Sequence, residues 1–130
     1  TSERDNALKS FRPKIDIEKK NTYSEFEQFQ NNTLRQICKF QNLLIIDYTR
    51  FYIHSKNKNF SKSSEYDKLK FIDSLFSKDT SFKNTLKGFI IGHFTFNEFQ
   101  YYKLNQAEIN KRIIQLIKTR FLSQFDHLSF

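Results

Sequence analysis

The chain has 130 residues, a length that fits one domain, and a formal net charge of +8. Its 38% hydrophobic and 28% charged residues are typical of neither a disordered chain nor a membrane protein. The single cysteine, Cys38, excludes an internal disulfide and gives no zinc-ligand spacing. The longest apolar run, residues 43–46, is far shorter than the about 20 residues of a membrane span, and the charged first 25 residues contain no apolar core of a signal sequence. These features favour a soluble, cytoplasmic protein.

Glycine and proline are almost absent, with 2 Gly and 1 Pro in the whole chain. An all-β domain needs many tight turns, which glycine usually supplies. We therefore predict an all-α fold, a compact bundle of about five helices. A long central helix is expected over about 34–55 and a long C-terminal helix over about 106–127. Together they would organise a single helical domain over residues 23–130.

Residues 1–22 carry mixed charges and include Pro13. We expect an extended or partly disordered arm there. Its apolar residues Phe11, Ile15 and Ile17 could dock it on the body of the domain. A short helical segment is expected next, over residues 24–31.

The central helix is predicted from its apolar spacing and its caps. Asn32 and Thr33 are both suitable N-cap residues. Apolar residues then recur every three or four positions, which indicates one buried stripe. The stripe comprises Leu34, Ile37, Phe40, Leu44, Tyr48 and Phe51, and the residues flanking it are Cys38, Gln41, Ile45 and Tyr52. We expect Cys38 to be a small residue of the core or its edge.

Residues 55–63 have no periodic pattern and predict a loop, after which Ser63 or Ser64 begins a second helix that ends near Phe76. Asp79 is expected to cap a third helix. That helix should end near Gly92, where a left-handed C-terminal residue would favour glycine. The residues expected to face inward on these two helices are Tyr66, Leu69, Ile72, Leu75, Phe76, Phe82, Leu86, Phe89 and Ile90.

Two further helix starts follow. Thr95 and Glu98 have the spacing of a capping box, which predicts a fourth helix to about Leu104. Asn105 is the expected cap of the last helix. Its stripe comprises Ile109, Ile113, Leu116, Ile117, Phe121 and Phe125.

Isolated titratable groups offer few candidates for a catalytic or metal site. Asp47 lies in an apolar run with Arg50 three residues later, which fits either a buried acid or a pair on a helix flank. His54, His93 and His127 have no metal-ligand spacing among them, so no metal or other cofactor is predicted.

Arg120 and His127 are seven residues apart on the predicted last helix and would share a face. An arginine followed at such a distance by a histidine, in a small basic all-α domain, resembles the ribonuclease motif of the HEPN superfamily. The resemblance implies RNA cleavage by this pair on the paired helices of a dimer. The polar residue that commonly follows the arginine is Phe121 here.

The positive charge is spread along the chain, with one focus around residues 54–70. Basic residues of the loop and of the last helix could bind phosphates, and neighbouring aromatic rings could stack on bases. The candidate binding residues are Lys56, Lys58, Phe60, Lys62, Lys111, Arg112 and Lys118. Tyr52 and Tyr101 are further stacking candidates. The alternative is a solvated surface with Phe60 in the core.

Three segments resemble a family of small proteins found chiefly in Bacteroidota, whose members are often labelled glyoxalase. These segments are residues 29–44, residues 82–102 and Asn110–Arg112, and the resemblance covers about residues 25–125. It implies a bacterial, cytoplasmic protein without an assigned activity. The label does not fit the residues, because glyoxalases of the vicinal-oxygen-chelate type place their ligands on strands.

The sequence thus favours a non-catalytic helical binding or accessory protein with RNA, the ribosome or an acidic protein as partner. One alternative is a helical RNase-like enzyme that uses Arg120 and His127. Another is a homo-oligomeric structural protein, for example a homodimer.

Overall fold

The computed structural model describes residues 2–13 and 24–128, which form helices and no strand. The prediction of an all-α fold is confirmed. The expected number of about five helices is too low, since eight α-helical segments occur in this part of the chain. They are α1 (Glu3–Phe11), α2 (Glu25–Phe29), α3 (Arg35–Phe40), α4 (Asn42–Lys56), α5 (Glu65–Lys78), α6 (Thr80–Ile91), α7 (Phe96–Leu104) and α8 (Gln106–Gln124). The compact bundle stays a prediction.

Three shorter helical segments connect or extend these helices: the π-helix Gln30–Leu34 and the 3₁₀ turns Phe60–Lys62 and Phe125–His127. None of the described helices combines the length and the apolar character needed to cross a membrane.

Hydroxyl and carboxylate caps begin five of the helices. In each case the cap side chain accepts a hydrogen bond from the backbone N–H three residues later, and such a bond contributes about 1 kcal/mol. The caps are Ser2, Ser24, Ser64, Asp79 and Thr95. The predicted caps Asp79 and Thr95 are confirmed, and of the two candidates for α5, Ser63 and Ser64, the cap is Ser64. Asn105 makes no cap bond, because its side chain donates to the carbonyl of Tyr101.

The predicted central helix starts earlier than expected and is broken. It begins at Glu25 behind the cap Ser24, passes through the π-helix, and is interrupted at Gln41, whose φ of −87° and ψ of 5° are not helical. The Gln41 side chain donates to the carbonyl of Phe89 at 3.0 Å. Asn32 and Thr33 are therefore wrong as caps, since both lie inside the π-helix.

The break at Gln41 also changes which residues of α4 are buried. A π-helix and a non-helical residue both alter the angular spacing of side chains, so one stripe cannot continue through them. Leu34 and Ile37 are buried as predicted. Phe40, Leu44 and Phe51 are instead 44%, 48% and 70% exposed. The buried residues of α4 are Ile45, Ile46, Thr49 and Ile53.

The N-terminal residues differ from the predicted extended arm, which is wrong for residues 3–11 because they form α1. Arg4 donates to the carbonyls of Gly92 and Phe94, and Asp5 accepts a hydrogen bond from the N–H of Phe96. These bonds dock α1 on the turn between α6 and α7. The predicted docking residues Ile15 and Ile17 lie outside the described residues.

The remaining helices follow the prediction with three corrections. Tyr66 and Leu69 were expected inside but are exposed on α5. Gly92 ends α6 with a right-handed backbone, φ −60° and ψ −16°, so no left-handed residue is needed there. The last α-helix ends at Gln124, three residues before the predicted end at His127.

The core is rich in aromatic rings, and α8 packs on α3, α6 and α7. The side chain of Phe60 is fully buried although it lies between α4 and α5. The largest fully buried side chains are Phe60, Phe82, Phe94, Phe121, Leu34, Ile37, Ile53, Ile72, Leu86, Ile90, Ile109 and Ile113. Because its inner face is fixed by this packing, α8 presents its outer face and both flanks to solvent.

Candidate functional site

The structure separates the two residues of the ribonuclease-like motif. The α-helical spacing that would place Arg120 and His127 on one face ends at Gln124, and His127 lies exposed on the 3₁₀ turn. Arg120 Nε donates instead to Asn42 Oδ1 at 2.7 Å. No hydrogen bond joins Arg120 to His127 in the part of the chain that the structure describes.

The other isolated candidates lie apart from one another. Asp47 is exposed on α4, so its carboxylate is not the buried acid that the apolar run allowed. His54 lies near the ring of Phe60, and His93 packs against Phe40 with ring centroids 5.3 Å apart. Burial lowers the pKa of His93, and Arg12 and Arg4 lower it further. Within residues 2–13 and 24–128, no three His, Cys, Asp or Glu side chains are placed to hold a metal ion.

The aromatic residues proposed for base stacking are already engaged. Phe60 is fully buried and packs 5.9 Å from the ring of Phe71, so its assignment as a stacking residue is wrong. The Tyr52 hydroxyl donates to Asp79 Oδ2 at 2.7 Å. Tyr101 is half-buried, 4.8 Å from the ring of Phe29.

The basic residues of the loop remain a solvated cluster. Lys56, Lys58 and Lys62 are exposed, and Lys56 Nζ lies 5.5 Å from the ring of Tyr52.

The predicted basic residues of α8 lie instead on two clefts, one on each flank of the helix. We call the first the arginine cleft. It has a volume of about 570 Å³ and lies between α8 and α3. Its basic residues are Arg35, Lys39, Arg112 and Arg120, and its other lining residues include Cys38, Gln115 and Thr119.

The second cleft, which we call the lysine cleft, lies between α8 and the helices α5 and α6. It has a volume of about 540 Å³. Its basic residues are Lys83, Lys87, Lys111 and Lys118, around a floor that includes Phe76 and Ile114. Gln115 lines both clefts, so the two are separated only by α8.

Neither cleft is lined by an aspartate or a glutamate. One acidic residue reaches the edge of the lysine cleft, because Asp73 pairs with Lys118. Lys83 Nζ donates to the carbonyl of Ser77 at 3.1 Å. In contrast, the side chains of Lys87 and Lys111 make no hydrogen bond or ion pair with any of the described residues. Their charges are therefore available to an anionic partner.

The thiol beside the arginine cleft adds no negative charge. Burial raises the pKa of Cys38 to about 12, against the opposing effect of Arg120 and Arg35. The thiol is thus protonated at neutral pH and is a poor nucleophile, since reactivity belongs to the thiolate.

A larger cleft, of about 690 Å³, lies between α1 and α7, but its lining combines a positive and a negative side chain. Its charged lining residues are Arg4 and Asp5, which form the hydrogen bonds that dock α1. We therefore regard the two clefts beside α8, and not the cleft between α1 and α7, as the candidate site.

Four of the eight basic residues that line these clefts lie on α8, and all four were named from the sequence. Lys111, Arg112 and Lys118 were predicted as binding residues, and Arg120 was assigned a different role. Arg35, Lys39, Lys83 and Lys87 were missed. They lie on α3 and α6, and no local pattern links them to α8, because only the packing of the helices brings them together.

Comparisons with protein-family models, with curated proteins and with solved structures found no match. The resemblance to the Bacteroidota family stays a prediction, and the function is inferred from the surface itself.

Proposed function

We propose that the protein is a non-catalytic nucleic-acid-binding protein, with RNA as its partner, and that the surface formed by the two clefts beside α8 binds the phosphate backbone. The observation that supports this proposal is the concentration of eight basic side chains around one helix, four in each cleft, without an acidic lining residue. A net charge of +8 adds long-range attraction for a polyanion.

The geometry favours contact with the backbone over recognition of bases. The aromatic residues considered for stacking are buried or bonded elsewhere, so the available groups are ammonium and guanidinium ions. Such groups bind phosphates without reading sequence. We therefore expect weak sequence preference and strong salt dependence.

The salt dependence gives the test. Each phosphate neutralised on a single strand contributes about −0.7 to the slope of log K against log salt concentration. We expect fluorescence anisotropy with a labelled single-stranded RNA, titrated between about 50 and 200 mM salt, to show a steep negative slope. Absence of binding at the lowest salt concentration would contradict the proposal.

Two variants with equal loss of charge show whether the surface beside α8 is responsible. The first combines Arg35→Ala, Lys87→Ala and Lys111→Ala, three residues whose side chains make no hydrogen bond to other described residues. The second combines Lys56→Ala, Lys58→Ala and Lys62→Ala in the loop. We expect the first to reduce the magnitude of the slope by about 2 and the second to leave it nearly unchanged. Equal effects of the two would indicate a response to net charge alone and would refute the assigned surface.

A further inference from the structure

One basic side chain of the arginine cleft is held in a fixed orientation. Asn42 Oδ1 accepts hydrogen bonds from Arg120 Nε at 2.7 Å and from Gln124 Nε2 at 3.0 Å. Asn42 Nδ2 donates back to Gln124 Oε1 at 3.0 Å, and Gln124 Nε2 also reaches the carbonyl of Arg120 at 2.9 Å. These four bonds fix the plane of the Arg120 guanidinium through its Nε atom.

The other end of the same guanidinium is free. Its two terminal nitrogens, Nη1 and Nη2, make no hydrogen bond with any residue in the described ranges. Arg120 lines the arginine cleft together with Arg35 and Arg112, and no carboxylate lines that cleft. The terminal nitrogens therefore offer paired donors in a strongly positive concave surface.

A guanidinium with a fixed plane and two free nitrogens suits a phosphate group. Two parallel N–H donors match two phosphate oxygens, whereas an ammonium ion acts as a single point charge. Fixing the side chain beforehand also reduces the conformational entropy lost on binding. The lysine cleft lacks this feature, because it contains only ammonium ions and two of them are already bonded.

We infer that the arginine cleft is the phosphate subsite of the nucleic-acid surface, with Arg120 as its bidentate donor and Asn42 as the residue that positions it. This inference rests on the proposed function. A phosphate can reach the subsite either as a terminal phosphomonoester or as an internal phosphodiester of the strand, and the chemistry of the donors is the same for both.

The decisive variant is Arg120→Lys, which keeps the charge but removes the paired donors. We expect it to weaken RNA binding by about tenfold with little change in the salt slope. Arg112→Lys is the matched control on the same helix and cleft, since Arg112 has no such network. We expect a smaller loss there. Unchanged affinity of Arg120→Lys, or an equal loss in Arg112→Lys, would overturn the inference.

Asn42→Ala separates a binding role from a structural one. This variant keeps Arg120 but frees its Nε atom, so we expect weaker RNA binding at an unchanged charge. Thermal unfolding of each variant is measured in parallel. If Asn42 only stabilises the packing of α4 on α8, the variant will be less stable, but its folded fraction will bind RNA with the affinity of the wild type. That result would refute the subsite.

Two RNA oligonucleotides that differ only in a 5′-phosphate identify the kind of phosphate. A loss of affinity for both in Arg120→Lys indicates an internal phosphodiester, and a loss restricted to the phosphorylated strand indicates the terminal group.

Inorganic phosphate provides a readout that does not depend on RNA. A shift of the Arg120 Nε–H signal in NMR, assigned by its loss in Arg120→Lys, supports the subsite even if RNA does not bind. If RNA binds but neither Arg120→Lys nor inorganic phosphate has an effect, the subsite is wrong and the proposed function stands.

Discussion

Arg12 and Glu98 form a two-point ion pair across 86 residues of sequence, with Nη2–Oε1 at 2.6 Å and Nη1–Oε2 at 2.7 Å. The same carboxylate accepts a hydrogen bond from the N–H of Thr95 at 2.8 Å and one from the Thr33 hydroxyl at 2.9 Å. Glu98 therefore joins three parts of the fold: the end of α1, the π-helix and the start of α7.

Loss of Glu98 is expected to destabilise the fold strongly. Glu98→Ala leaves the largely buried guanidinium of Arg12 without its counter-ion, and breaking a buried pair costs about 3 kcal/mol. Urea unfolding at neutral pH measures the change in the free energy of unfolding. Glu27→Ala is a suitable control, since Glu27 holds the same capping-box position at α2 but is exposed. We expect a loss below about 1 kcal/mol for that control; equal losses would contradict the role assigned to the pair.

The same carboxylate predicts acid sensitivity. Burial alone would raise the pKa of Glu98, but the hydrogen bonds and charge of Arg12 and the bonds from Thr95 and Thr33 hold it below its ordinary value of 4.5. In the unfolded chain the carboxyl binds its proton at the ordinary, higher pKa. The contribution to stability is therefore complete above about pH 4.5 and is lost as the pH falls through the folded pKa.

Urea midpoints measured from pH 7 down to pH 3 test this dependence. We expect the difference in stability between the wild type and Glu98→Gln to shrink as the pH falls, because only the wild type loses a charged pair. A difference that stays constant over the whole range would show that ionisation of Glu98 does not stabilise the fold.

The buried thiol of Cys38 is expected to make the fold less stable at alkaline pH. Burial raises the pKa of its thiol to about 12 from an ordinary value of 9.0. Above pH 9 the unfolded chain loses this proton while the folded protein keeps it, so stability falls as the pH rises from 9 toward 12. We expect Cys38→Ala to lose less stability at alkaline pH than the wild type.

A thiol reagent at pH 8 should also react slowly with Cys38 in the folded protein and rapidly in denaturant. Rapid reaction of the folded form would disagree with the burial of this side chain.

Two phenylalanines test the boundary between core and surface. Phe60 is fully buried and Phe51 is mostly exposed. The sequence pattern placed Phe51 in the buried stripe and Phe60 in a loop, either as a stacking residue or as part of the core. We expect Phe60→Ala to cost about 3–5 kcal/mol in unfolding free energy and Phe51→Ala to change it by no more than about 0.5 kcal/mol. Similar values for the two would indicate a different packing of α4.

Local chemistry made several parts of the fold predictable. Asp79 and the Thr95–Glu98 capping box mark helix starts, because their side-chain oxygen accepts a hydrogen bond from the free backbone N–H three residues later. This bond involves no residue from elsewhere in the chain. The stripe of α8 was predictable for a similar reason, as nothing interrupts its helical spacing until Gln124. The stripe of α4 was not, because the π-helix and Gln41 rotate the buried face.

Residue types and neighbours within one or two turns were enough to predict the helical class, the caps of α5, α6 and α7, the stripe of α8 and the excess of positive charge. Tertiary structure decided the rest. It placed Arg12 on Glu98, moved Phe60 into the core, and brought Arg35 and Lys39 to one flank of α8 and Lys83 and Lys87 to the other. Such contacts join residues far apart in the chain, and the packing angles between helices that create them leave no periodic mark on the sequence.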